Sequence, residues 1–256
     1  TMSEPMNFKS VCYDAEPASG GGSKSLNRND FIYGEVEGDG ACFFHSVAWI
    51  LTMEGPNQVK KNETLKQTEN RRNKLAKKLR RDCVNWLEKN LDFIIPQLGR
   101  TIRDEIQDEV DSELRSENNK KYRTINQYFG YMMKSKSWAG QIEIYGLSHE
   151  LGRSIRVFIE QKGKYKSSGL GYMLGSNPDI MDDIHLFHNS GTRGSNEHHF
   201  DGLFPKELAK ELEKEKIKES TKESTKESTK ENKSKRTNKR KRTNKRKNKR
   251  KRTMRR

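Results

Sequence analysis

The sequence predicts an α+β (mixed α/β) domain, a small central sheet flanked by helices, with disordered tails on either side. Helically spaced apolar residues dominate its first part, and the clearest strand patterns come after residue 153. A third observation bounds the domain: both ends of the 256-residue chain lack the apolar periodicity of a packed core, which leaves room for about one domain.

Residues 1–30 carry a Gly-Gly-Gly-Ser run at Gly20 to Ser23 and read as a flexible leader, with Cys12 an incidental thiol. The domain is expected over 31–204. Phe31 to Val36 looks extended, Gly38-Asp39-Gly40 is a tight-turn signal, and the apolar run Cys42 to Leu51 reads as a buried helix. Leu75, Leu79, Cys83 and Leu87 recur every four residues, one stripe of a long helix that stops before Pro96 and takes Cys83 into the core. Ile102, Ile106, Val110 and Leu114 mark the next helix, and Thr124 caps another containing Tyr128, Phe129 and Met132. The pattern from Trp138 to Leu151 is helical again and ends at Gly152. Ser154 to Glu160, Ile184 to His188 and His198 to Phe204 are strand candidates. Pro205 opens a charged helical or coil spacer, 205–232, that includes Lys-Glu-Ser-Thr three times from Lys218.

The net charge of +16 has a single location. Lys233 to Arg256 holds 16 Lys or Arg and no acid, and the 36 basic residues that remain are matched by 36 acidic ones. A partner that reads positive charge, whether nucleic acid, an importin or an acidic membrane surface, is therefore expected only at this basic, disordered tail. Three cysteines without a Cys-x-x-Cys pair argue against a disulfide scaffold or a zinc cluster. No apolar run approaches the length of a membrane span, and the start lacks the order of a secretory signal. A reducing compartment is expected, cytoplasm or nucleus, with delivery into a host cell as a further route.

The chemistry concentrates at Asp39-Gly40-Ala41-Cys42-Phe43-Phe44-His45-Ser46, a cysteine between a glycine turn and an apolar helix. Unpaired N–H groups and the positive end of the helix dipole favour the thiolate there, and the same N–H groups suit an oxyanion. A base is then required. His45 lies further along the same helix and reads as structural. His199 is followed two residues on by Asp201, and residues two apart in a strand share a face, so Asp201 is placed to orient the His199 ring. The same alternation turns His198 the other way, to a rim or packing role.

These segments resemble the motifs of the ovarian tumour (OTU) deubiquitinases, papain-like cysteine proteases. Asp39 to Ser46 is similar to the family's Asp-Gly-x-Cys box, His199-Phe200-Asp201 to its His-aromatic-(Asp/Asn) box, and Trp138-Ala139-Gly140-Gln141-Ile142-Glu143 to its Trp-Gly-Gly-x-x-Glu segment. The resemblance implies hydrolysis of (iso)peptide bonds after the C-terminal glycine of ubiquitin, alone or in polyubiquitin. Cys42 would be nucleophile, His199 base and Asp201 orienting carboxylate, with Asp39 a second acidic residue of the site. It implies a turn, Asp39, Gly40 and Ala41, that supplies oxyanion donors. Trp138, Ala139, Gly140 and Phe200 would border substrate, and Ala139, where the family has glycine, would narrow the channel. No metal and no cofactor is expected.

Other readings fail on spacing. A dinucleotide turn needs a glycine where Phe43 stands, and the zincin pattern begun at His149-Glu150 needs a histidine where Arg153 stands. The four histidines from His185 to His199 fall on predicted strands and do not converge as metal ligands. The alternative of a different class is a catalytically inactive ubiquitin-binding module carrying a nucleic-acid-binding tail.

Overall fold

The computed structural model describes residues 26–54, 63–96, 98–115, 121–161, 164–167, 183–190, 198–212 and 214. Expectations for the leader before residue 26, with Cys12, and for the Lys-Glu-Ser-Thr repeats and the basic tail lie outside the described residues. The chain divides into two units, Thr1–Leu208 and Ala209–Arg256, and the few described residues of the second are helical.

The first unit is α+β. Its elements run β1 (Leu26–Asn27), a 3-10 turn (Arg28–Asp30), β2 (Phe31–Gly34), α1 (Cys42–Met53), α2 (Leu65–Lys89), β3 (Ile94–Ile95), β4 (Arg100–Thr101), α3 (Ile102–Arg115), α4 (Ile125–Met132), α5 (Gln141–Leu151), β5 (Ile155–Gln161), β6 (Lys164–Ser167), β7 (Ile184–Ser190) and β8 (His198–Pro205). Six strands form one sheet in the order β1-β6-β5-β7-β8-β2, parallel only between β5 and β7, while β3 and β4 make a separate hairpin.

Caps set the helix boundaries. Thr64 begins α2 with a capping box, its hydroxyl accepting from Gln67 N–H while the Gln67 side chain accepts from Thr64 N–H. Thr124 caps α4 as its sequence position predicts. The helix expected from Trp138 starts instead at Gln141, because Gly140 N–H donates to the Glu143 carboxylate at 2.7 Å and makes residue 140 the cap. Gly152 ends this helix at φ 63°. Leu114, read as part of the α3 stripe, stands 38% exposed where the last turn clears the core. The strands also differ from the sequence reading, first at the β3–β4 hairpin, where no strand is expected. Leu26–Asn27, on the leader side of the expected boundary, pairs with β6. β6 itself was not foreseen, since only Tyr165 of Lys-Tyr-Lys-Ser is apolar and buried. Pro205 closes β8 opposite Phe31, and the expected helical stretch begins one residue later, at Lys206.

β8 carries the site, and two glycines let α1 lie close to it. Gly34 and Gly202 face each other across the β2–β8 pair, and Trp49 of α1 covers both. A Cβ at either would meet the indole ring, at 2.4 Å from Gly34 and 2.7 Å from Gly202. Phe43, fully buried, stacks edge-on against Phe200 of β8, and Ser46 Oγ donates to the Phe200 carbonyl at 2.8 Å. One sheet face also holds a core of Phe31, Phe158, Tyr165, Phe187 and Leu203.

His185 of β7 sits fully buried between the Phe31 and Phe158 rings, and neither ring nitrogen has a hydrogen-bond partner among the described residues. Burial, then the nearby Arg156 and Arg153, pushes its pKa down to about 3. The folded state therefore keeps His185 neutral where the unfolded chain takes up a proton, so stability present above pH ~6.5 declines as pH falls toward ~3. His185→Leu is expected to flatten this decline. Urea midpoints at pH 7 and pH 4 would test it, an unchanged difference between the two pH values counting against the assignment.

Candidate active site

Cys42 is the first residue of α1, and the first intrahelical bond runs from His45 N–H to the Ala41 carbonyl at 3.0 Å. The N–H groups of the opening turn, that of Cys42 included, have no carbonyl one turn back to receive them. The chain reaches this point through Gly40 at φ +82°, a left-handed conformation with little tolerance for a side chain. The Asp39 carboxylate turns back to accept from Ala41 N–H at 3.1 Å. That bond changes one expectation: Ala41 N–H is engaged within its own turn rather than free to receive an oxyanion. The Cys42 side chain lies almost wholly beneath the surface, at 1% exposure.

On β8, His199 and Asp201 share a face as alternation requires, with His199 Nε2 and Asp201 Oδ1 2.9 Å apart. The Asp201 side chain is 3% exposed. Its Oδ2 accepts from the Tyr33 hydroxyl and its Oδ1 also from Val36 N–H at 3.2 Å. Burial alone would raise the Asp201 pKa, but the bonds from His199, Tyr33 and Val36 outweigh it and hold the carboxyl below its ordinary range. The opposite holds for His199: Asp201 first, then the Cys42 side chain, raise its pKa to about 10 against the cost of burial. At neutral pH the ring is an imidazolium. With Nε2 committed to Asp201, Nδ1 is the nitrogen left for Cys42. No closed hydrogen bond is made there, so the sulfur acts as a close neighbour of the ring. The connection from β2 to α1 spans both groups, bonding Asp201 through Val36 and laying Gly38 against the ring, where a Cβ would stand 3.3 Å from Nδ1.

The segment after α4 forms a second side of the turn. A Cβ on Gly40 would lie 2.3 Å from the Lys136 carbonyl oxygen, so the two backbones touch. Trp138, Ala139 and Gly140 follow directly and are partly exposed. Glu143, 2% exposed, accepts from Gly140 N–H and from the Tyr128 hydroxyl at 2.6 Å. Burial raises its pKa and these bonds oppose the rise, so Glu143 caps and packs rather than meeting substrate.

Phe200 departs from its expected substrate-bordering role. It is 4% exposed and turns to the opposite face from its neighbours, against Phe43 and His188. His45 is partly buried on α1, and burial lowers its pKa. Cys83 is fully buried, donates to the Glu143 carbonyl at 3.3 Å, and has its thiol pushed well up by burial. His198 contributes its backbone to β8 opposite Ser190, while its side-chain role lies outside what is described. Sequence reasoning missed Tyr33, Val36, Gly38 and Arg80. Of these only Arg80 left a signal, a cation four residues after Ala76 and three before Cys83 on a buried stripe.

A buried thiol at a helix start, an imidazolium beside it and a carboxylate behind the imidazolium form a constellation suited to nucleophilic catalysis. A family model described as "OTU: OTU-like cysteine protease" matches residues 37–200. The chain belongs to this family. The matched OTU span contains Cys42, the Trp138 segment and His199, and stops one residue before Asp201. Among curated proteins none matches. Among solved structures, the OTU chain is similar to the viral OTU domain protease of Dera Ghazi Khan virus at 17% identity, covering 71% of this chain and 86% of that one, with a TM-score of 0.43. It is similar to the Hazara virus OTU bound to ubiquitin at 18% identity, with 72% and 87% covered and a TM-score of 0.41. A third is an OTU deubiquitinase from Wolbachia pipientis wMel bound to ubiquitin, at 20% identity, with 69% and 97% covered and a TM-score of 0.39. Among the described residues of this OTU chain, no group of three or more His, Cys, Asp or Glu could hold a metal ion, and no helix is long and apolar enough to cross a membrane.

Proposed function

We propose that this OTU-like cysteine protease is a deubiquitinase, hydrolysing the bond after the C-terminal glycine of ubiquitin through Cys42, His199 and Asp201. The observation that carries the reading is the His199 ring, with Nε2 2.9 Å from the Asp201 carboxylate and its pKa raised by that carboxylate and then by the Cys42 side chain. The thiolate of Cys42 attacks the glycine carbonyl and forms a C–S bond. His199 gives its proton to the departing lysine amine as the C–N bond breaks, which leaves a thioester. The neutral ring then takes a proton from water as hydroxide adds to the thioester, and the C–S bond breaks to release ubiquitin's carboxylic acid and restore the thiolate beside the imidazolium, the acid then losing its proton to solvent. The oxyanion at each stage falls to the N–H groups at the open end of α1, chiefly that of Cys42. Trp138 and its neighbours border the channel for the extended ubiquitin tail, which Ala139 narrows.

A ubiquitin probe with a C-terminal electrophile tests the reading. Covalent capture at Cys42, with cleavage of at least one linkage in a panel of diubiquitins, is expected. Reversible binding without capture would instead favour an inactive ubiquitin-binding module.

The tail is assigned to addressing or anchoring, on nucleic acid, an importin or an acidic membrane, since residues 233–256 hold the whole net charge. Ending the chain at Asn232 should therefore leave diubiquitin cleavage within about twofold of the full chain in dilute solution at physiological salt, where screening confines the tail's field to roughly 8 Å. Loss of cleavage would make the tail part of the machinery. Because Cys42 must stay reduced to act, the proposed setting is the cytoplasm or nucleus.

A further inference from the structure

Arg80 is a buried cation far in sequence from every motif of the site, at 4% exposure on α2. Its guanidinium donates from Nη1 to the Met132 carbonyl at 3.0 Å and from Nη2 to the carbonyls of Gly40 at 3.4 Å and Ser135 at 3.5 Å. Beneath it lies the Phe44 ring, 4.5 Å from the guanidinium carbon to the ring centroid. One side chain on a 25-residue helix thus touches the glycine turn before Cys42, the first turn of α1, and the segment that leads to Trp138.

We propose that Arg80 is a positioning residue for the nucleophile turn, holding the Gly40 carbonyl against the Met132–Ser135 backbone and so setting the direction in which the start of α1 presents Cys42. This inference rests on the reading of Cys42 as nucleophile. Three features favour it over plain core filling. A planar guanidinium spreads its donors over three nitrogens in a rigid fork and so holds carbonyls from two separate segments at a fixed spacing and angle, which the compact, rotatable donors of an ammonium do not impose. The guanidinium lies on a ring two residues from Cys42, so its position and that of the first α1 turn are tied together. Burial lowers the Arg80 pKa, and it is opposed by Glu143, then Cys83, Asp39 and Cys42, so the nucleophile turn is among the groups its charge acts on. A turn released from this hub would still contain every reacting group, but at altered angles, and a misplacement near 1 Å costs about 10²-fold in rate.

Arg80→Lys keeps the charge and loses the fork, and Arg80→Met removes both. Each would be assayed on a fluorogenic ubiquitin C-terminal amide, with rates expressed per folded molecule from a melting curve in the same buffer. In parallel, the rate of Cys42 alkylation by iodoacetamide would be followed against pH by peptide mapping. Expected for Arg80→Lys is a fall in kcat of roughly 10 to 10²-fold with KM changed less than about threefold, and a larger fall for Arg80→Met. The alkylation profile of Cys42 should change in both. Wild-type kcat per folded molecule together with a wild-type alkylation profile in Arg80→Lys would overturn the proposal, even if the variant melts earlier, because that pattern is purely structural. The alkylation arm needs no ubiquitin. If the unaltered chain failed to turn over the amide, the deubiquitinase reading would fall, while Arg80 would still be judged by whether its variants alter the Cys42 profile.

Discussion

Cys42→Ala and His199→Ala are each expected to lower isopeptide cleavage by about 10⁴-fold or more, whereas Asp201→Asn should leave a measurable fraction. The asymmetry follows from what each group supplies. In the proposed reaction Cys42 provides the protein atom that bonds to the substrate carbonyl, and His199 the proton for the leaving amine. Asp201 touches neither. It acts on the ring it orients, and Asn keeps a hydrogen-bonding carbonyl oxygen near Nε2 while losing the negative charge. Circular dichroism would establish folding before any loss is assigned to chemistry.

The same substitution carries a signature in pH. His199 is raised to about 10, chiefly by Asp201 and next by Cys42, so in the unaltered protein the imidazolium persists well above neutrality and disappears as pH rises through that value. Removing the charge of Asp201 removes the largest cause of the rise. The alkaline limb of kcat/KM is therefore expected to move to lower pH in Asp201→Asn, toward the ordinary histidine range, while activity near pH 6 is less affected. An alkaline limb that stays in place would separate Asp201 from the proton chemistry. A full loss in His198→Ala with an active, folded His199→Ala would shift the register by one residue and dismiss Asp201 with it.

Local signals made part of this site legible. A glycine turn followed by an apolar helix locates Cys42 within a few residues, and period-two alternation alone puts His199 and Asp201 on one side of β8. That alternation also bears on Phe200, which family resemblance placed with the substrate and which the strand turns toward Phe43. The Trp138 segment was read as helix because its apolar spacing continues that of α5, and the Glu143 carboxylate, by capping Gly140, makes it a loop. Contacts between distant segments stayed hidden, even where, as at Arg80, a cation on a buried stripe signals that some partner is needed. Tyr33 meets Asp201 across 168 residues, and Arg80 meets Gly40 across 40. Both depend on the sheet order and on how α2 lies beside α1, and neither is written in any window of sequence. The β6 strand was missed for a related reason: with a single buried residue, Tyr165, it owes its place to partners on either side rather than to its own pattern.

Gly40→Ala is expected to cause the largest loss among the substitutions that leave all three reacting groups in place. Two costs coincide there. At φ +82° an alanine is held in a conformation L-residues avoid, and its Cβ would fall 2.3 Å from the Lys136 carbonyl oxygen and 2.8 Å from the carbonyl carbon. The obstacle is backbone rather than a side-chain tip, so relief requires moving either the nucleophile turn or the 132–137 segment. Arg80 grips both of these through Gly40, Met132 and Ser135. Strain and overpacking together amount to about 2–6 kcal/mol, with the displacement concentrated at the residue two before Cys42. Gly99→Ala supplies the comparison. Gly99 is also left-handed, at φ +62°, but nothing lies within 4 Å of its would-be Cβ, so only the conformational cost of about 1–2 kcal/mol remains and cleavage should be kept. Urea midpoints and probe capture measured for both variants decide the matter. Equal destabilisation of the two, with Gly40→Ala still captured at the unaltered rate, would show that the Gly40 turn yields without disturbing Cys42.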